Sequence, residues 1–125
     1  MKYLSAPVGA IVRVWFPETE DVMSAGSKFR PCLVLDGRRT NQGVEVLVAY
    51  GTSQNTHARG IGEFTVTKDL QVSIEKDTKF CLTRRIWLPL TKNLFCINGR
   101  QPAPEMIHAA AMVEFHRAAC EAKIV

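Results

Sequence analysis

Two apolar runs facing each other across a short polar stretch constrain this chain most. From Arg30 the sequence reads RPCLVLD, then GRRTNQG, then VEVLVAYG, ending at Gly51. Branched and apolar residues in short runs, the period of two in the last string, and Gly37 and Gly43 at the ends of the polar piece predict an antiparallel hairpin. GAIVRVWFP, from Gly9, has the same character and predicts a first strand that Pro17 ends. EFTVT sets Phe64 and Val66 on one face and predicts a fourth strand. KFCLTRRIWLPL predicts a later strand, interrupted by the polar TRR and limited by Pro89, and NLFCIN is a further short strand-like piece. ETEDVMSAGSK and TSQNTHARGIG carry no period and read as long loops.

After GRQPAP the pattern changes. EMIHAAAMVEFHRAACEAKIV is rich in alanine and free of Gly and Pro, which predicts a terminal helix over about residues 104–123. Pro104 suits its first turn and Glu105 the positive end of its dipole, and Met106, Ala110, Val113 and Cys120 form a stripe that would cover the sheet. The expected fold is mainly β: a small, strongly bent antiparallel barrel over about residues 8–99, closed by the C-terminal helix. A chain of 125 residues, 46% hydrophobic and 22% charged, suits one packed globular domain without repeats. Nothing approaches the roughly 20 apolar residues of a spanning helix, so a soluble, unexported, cytoplasmic protein is expected.

The net charge of +4 would attract polyanions, but an excess this small is common among proteins that bind none. Cys32, Cys81, Cys96 and Cys120 are scattered without a C-x-x-C pair, as reduced thiols are. His116 and Cys120 would lie one helical turn apart, but no second pair has ligand spacing, so packing is the reading and no metal or other cofactor is expected.

Taken in order, GAIVRVWFP, KFRPCLVL and VLVAYGTS resemble the PemK/MazF family of type II toxin-antitoxin ribonucleases, and FCLTRRIWLPL is similar to a later strand of PemK-like members. The resemblance runs from Gly9 to about Leu90. It implies an SH3-like barrel, a homodimer, metal-independent cleavage of single-stranded RNA, and a cognate antitoxin whose acidic, flexible tail occupies the RNA site. It also implies active-site positions at Arg30, the arginine of the R-P string, and Thr52, after the third strand.

Metal-free RNA cleavage requires an acceptor for the 2′-hydroxyl proton, a donor for the leaving 5′-oxygen, and cations aimed at the charge growing on phosphorus. Arg30 suits the last role, because its guanidinium stays charged and forks to two phosphate oxygens. Thr52 and Ser53 would orient the phosphate and ribose through their hydroxyls, although such pairs ordinarily bond their own backbone. For the base, Glu20 in the first loop, near Glu18 and Asp21, stands beside His57 in the second, whose ordinary pKa suits proton transfer near neutrality. Lys28, Arg59, Arg84 and Arg85, with Arg38 and Arg39 nearby, would form a basic rim for RNA, with Trp15, Trp87 or Tyr50 as stacking surfaces. The alternatives are a barrel of the same fold that binds nucleic acid or an acidic peptide without cutting, and a gyrase-poisoning toxin of related fold that relies on its terminal helix.

Overall fold

The computed structural model describes residues 4–18 and 25–124. Glu20 and Asp21, the acids nominated in the first loop, lie outside them. Among the described residues six antiparallel strands form one curled, half-closed sheet of order β4-β5-β3-β2-β1-β6, followed by a short C-terminal helix. The strands are β1 (Ala10–Trp15), β2 (Phe29–Thr40), β3 (Gly43–Thr52), β4 (Glu63–Val66), β5 (Thr78–Pro89) and β6 (Glu105–Met106). The helices are α1 (Lys92–Phe95) and α2 (Met112–Glu121).

The expected hairpin is present and longer than its sequence signals. β2 and β3 run through the polar stretch and leave only Asn41 and Gln42 between the paired Thr40 and Gly43. Gly43 has φ of +124°, where a side chain would be strained. Arg38 and Glu45 face each other across the pair and join at 2.7 Å, and the Arg38 guanidinium lies 4.0 Å from the centre of the Trp87 ring. Cross-strand pairing thus stabilises a stretch whose composition reads as a turn.

Both faces of the central strands are covered. Ile11, Leu33 and Ala49 face a core completed by Phe64, Phe80, Leu82 and the small residues Ala118, Ala119 and Ala122. Val12, Val14, Cys32, Val34 and Val48 alternate with them and face a second core completed by Leu88, Leu94 and Phe95. The period-two geometry of strands produces this split. Phe115 of α2 reaches Phe64, ring centres 5.8 Å apart, and ties the helix to the sheet.

Two expectations are corrected. The terminal helix begins at Met112, after a single 3-10 turn at Ala109–Ala111, and not near Pro104. Residues 105 and 106 instead pair with β1, and the Glu105 carboxylate accepts from the amides of Val72 and Ser73. His108 stops the helix from extending backward by accepting the Ala110 amide on its imidazole Nδ1. The expected stripe does not form: Met106 lies in a strand and is 55% exposed, Val113 is 76% exposed, and Ala118, Ala119 and Ala122 face the core instead. NLFCIN is not a strand either: its first residues lie in α1. Consecutive Leu94 and Phe95 would point to opposite sides of a strand, whereas a helical turn buries both.

The remaining feature that shapes the site is a break in the β3–β5 ladder. Ala49 pairs with Arg85, but the next residue, Tyr50, pairs with Cys81. Leu82, Thr83 and Arg84 are therefore looped out, at the polar interruption visible in the sequence. Among the described residues no helix is long and apolar enough to cross a membrane.

Candidate functional site

The site lies where β2 begins and β3 ends. These two backbones approach so closely there that a Cβ on Gly51 would sit 2.3 Å from the Pro31 carbonyl oxygen and 2.9 Å from the Phe80 ring. Glycine is what permits the approach, and it leaves a cleft of about 220 Å³ beside it. Arg13, Lys28, Arg30, Ser53, Glu75 and Lys76 contribute to its walls.

Arg13 supports this cleft by donating to the carbonyls of Phe29, at 3.1 Å, and Ser73, at 3.2 Å. The second bond draws the loop carrying Ile74, Glu75 and Lys76 against the start of β2. Glu105 holds the same loop from behind, accepting from both the amide and the hydroxyl of Ser73. Desolvation opposes the Glu105 carboxylate, yet the bonds from Ser73 and Val72 outweigh it and keep its pKa below the ordinary 4.5.

Arg30 is half-buried, opposite Val14 on β1. Among the described residues it has no acidic partner, and its guanidinium carbon lies 5.3 Å from the centre of the Tyr50 ring. The looped-out Arg84 lies over the same ring at 4.2 Å, and it too has no acidic partner among the described residues. Two guanidinium groups thus share one aromatic ring near the end of β3.

Beyond Tyr50 is a second cleft, of about 270 Å³, lined by Thr52, Gln54, Asn55, Glu63, Lys79 and Arg84 among others. Lys79, only 7% exposed, is one cation that composition hides inside a strand. Its ammonium donates to the carbonyls of Asn55 and Ala58 and pairs with Glu63 at 3.2 Å, so it fixes the loop that follows β3. The Gly60 amide, then the Lys79 ammonium, lower the pKa of Glu63 against a desolvation penalty.

The nominated residues divide among these surroundings. Arg30, Ser53 and Lys28 line the first cleft. Thr52 and Arg84 line the second with Tyr50, and the Arg30 guanidinium, two residues before the Cys32 that pairs with Tyr50, lies beside that same ring. Thr52 Oγ1 also accepts from the Gln54 amide at 3.1 Å, the local turn bond such residues ordinarily make. His57 and Arg59 line a third cleft that has no residue in common with the first.

Arg59 pairs with Glu114 of α2 at 2.7 Å. Arg85 donates inward to the carbonyls of Leu82 and Ala122. Trp15 is occupied as well: its indole donates to the Cys96 carbonyl at 2.8 Å and its ring packs on Phe29. Trp87 lies under Arg38. Arg59, Arg85 and Trp15 are thus engaged by the fold rather than presented on an open rim.

Glu75 and Lys76 were missed by sequence reasoning, because they lie on a loop with no motif. Cys32 and Cys81 are buried in their strands, and burial pushes the Cys32 thiol up to about 12. Among the described residues no three His, Cys, Asp or Glu side chains are grouped to hold a metal. The chain matches no protein-family model, and no curated protein is significantly similar to it.

Proposed function

We propose that this protein is a metal-independent endoribonuclease of the PemK/MazF type, acting on single-stranded RNA in the cytoplasm. The observation that carries the reading is the first cleft. Arg30 and Ser53 line one open, mainly cationic pocket, and Arg30 spends its charge on no acidic side chain among the described residues. A phosphodiester fits that arrangement, since a guanidinium fixed on a strand can fork to two phosphate oxygens while a serine hydroxyl donates to a third or to the ribose.

In the proposed reaction the ribose 2′-oxygen attacks the adjacent phosphorus and the bond from phosphorus to the 5′-oxygen breaks. A 2′,3′-cyclic phosphate and a free 5′-hydroxyl result, the leaving 5′-oxygen taking its proton from solvent water. Arg30, supported by Lys28 and Lys76, stabilises the negative charge that grows on the phosphate oxygens. The 2′-hydroxyl proton needs an acceptor in the same cleft, and Glu75 is the carboxylate that lines it. The cationic walls also suit the acidic, flexible tail of an antitoxin, which would compete with RNA there, and a homodimer is part of the same proposal.

A second reading is favoured by the local turn bond that occupies Thr52, whose Oγ1 accepts from the Gln54 amide: a barrel that binds RNA or an acidic peptide without cutting. Incubation of the purified chain with single-stranded RNA in EDTA decides between them. Fragments ending in a 2′,3′-cyclic phosphate are expected. Binding without such fragments establishes the second reading and overturns the first.

A further inference from the structure

The second cleft has no role in the bond-breaking step above, yet it is built with more structure than a solvated rim needs. Tyr50 lines it, Arg30 of the first cleft brings its guanidinium to 5.3 Å from that ring, and Arg84 reaches the ring only because residues 82–84 leave the β3–β5 ladder. Placing two guanidinium groups on one ring, with no acidic partner for either among the described residues, is repulsive until an anion lies between or across them.

The opposite wall is polar and fixed. Lys79 holds the backbone at Asn55 and Ala58, so the cleft exists before any ligand arrives. Glu63 turns Oε1 toward Lys79 and the Gly60 amide. Its Oε2 has only the Cys81 thiol, at 3.6 Å, among the described residues, and keeps acceptor capacity for a ligand. A planar cationic platform facing an ionised acceptor matches a nucleobase with an exocyclic amino group. The base stacks on the guanidinium and donates to the carboxylate.

We propose that the cleft of Thr52, Gln54, Glu63 and Arg84 is a nucleoside subsite for the residue next to the cleaved phosphate. It selects cytosine or a purine over uracil by stacking on Arg84 and an amino-group bond to Glu63. Uracil flanks its single ring N–H with two carbonyls, which face the carboxylate unfavourably. This inference rests on the RNA reading of the first cleft, but its test separates the two.

The probes are oligocytidylate, oligoadenylate and oligouridylate about five nucleotides long with 2′-fluoro sugars, which bind but cannot be cleaved by 2′-attack. Fluorescence anisotropy of the full chain should rank cytidylate and adenylate on the order of tenfold tighter than uridylate. Arg84→Ala should weaken the two tighter complexes on the order of tenfold and erase the ranking. Because Glu63→Gln also disturbs Lys79, the exposed Arg84→Lys is the second variant. It keeps the charge and loses the plane, so it should retain salt-dependent binding without the ranking.

Equal affinity for the three probes, no binding at all, or a ranking that survives both Arg84 variants would overturn the subsite. Parallel digests of a long single-stranded RNA report on the other reading. A ranking that depends on Arg84 with no cleavage would sink the nuclease and leave the subsite. Cleavage that depends on Arg30 with no ranking would do the reverse.

Discussion

The cations of this protein divide between two regions, and the division separates structure from proposed chemistry. On the helix side Arg117 joins Glu121 at 2.6 Å and Glu114 at 3.3 Å, and Arg59 joins Glu114 at 2.7 Å. Glu121 also accepts the Gly62 amide, so this network pins α2 to the turn before β4. At the strand ends Arg30 and Arg84 have an aromatic ring and no carboxylate among the described residues. Residue type and exposure do not distinguish the two sets. What distinguishes them is whether the described residues supply the counter-charge, and a ligand is the natural source where they do not.

Substitutions on the helix side should therefore alter stability and spare activity per folded molecule. The largest effect is expected at Phe64, fully buried between Phe80 and Phe115. Phe64→Ala should cost about 3–5 kcal/mol in chemical denaturation. A loss below about 1 kcal/mol would show that the helix is not anchored there.

Gly51→Ala tests where the two regions meet. Its new methyl would press on the Pro31 carbonyl and the Phe80 ring, so about 1–3 kcal/mol of stability and the shape of the Arg30 cleft should be lost together. Normal RNA affinity in a destabilised Gly51→Ala protein would separate the cleft from the strand approach.

Acid should loosen the cleft wall next. The Glu105 carboxylate has a folded pKa below its ordinary 4.5, so its contribution is fully present above that value. It is lost as pH falls through the lower, folded value. Denaturation midpoints followed from about pH 6 to about pH 3 should fall less steeply in Glu105→Gln than in the unmodified chain. Parallel slopes would contradict the role given to Glu105. The smallest effect belongs to Arg59→Ala, an exposed pair worth about 0.5 kcal/mol, with RNA cleavage unchanged.

Much of the fold was legible because strands declare themselves locally. GAIVRVWFP and EFTVT became β1 and β4 within a residue or two, and the RPCLVLD and VEVLVAYG pair became β2 and β3. Alternation and glycine punctuation carry that information along the chain. The later start of α2 was not legible, since it depends on residues 105 and 106 finding β1 nearly a hundred positions away. The same holds for Lys79, whose partners at Asn55, Ala58 and Glu63 converge only when β4 and β5 pair.

At the site, the R-P string pointed to Arg30 and the string after β3 to Thr52 with Ser53 beside it, and of these Arg30 and Ser53 line one cleft. Thr52 faces the neighbouring one with Tyr50, opposite to Ser53 because successive residues at a strand end alternate, and the Arg30 guanidinium beside the Tyr50 ring belongs to the surroundings of both clefts. The interruption TRR was visible as polarity, but only the β5 bulge turns it into an arginine lying over Tyr50.

The central claim is that an arginine with no carboxylate partner among the described residues is the one that handles phosphate. It is tested most directly by the single-turnover cleavage rate of a single-stranded RNA in EDTA, compared between Arg30→Ala and Arg59→Ala at matched folded concentration. The account predicts that Arg30→Ala lowers the rate by about 10²–10³ while Arg59→Ala leaves it within about twofold. Equal rates for the two variants, or a greater loss for Arg59→Ala, would contradict it.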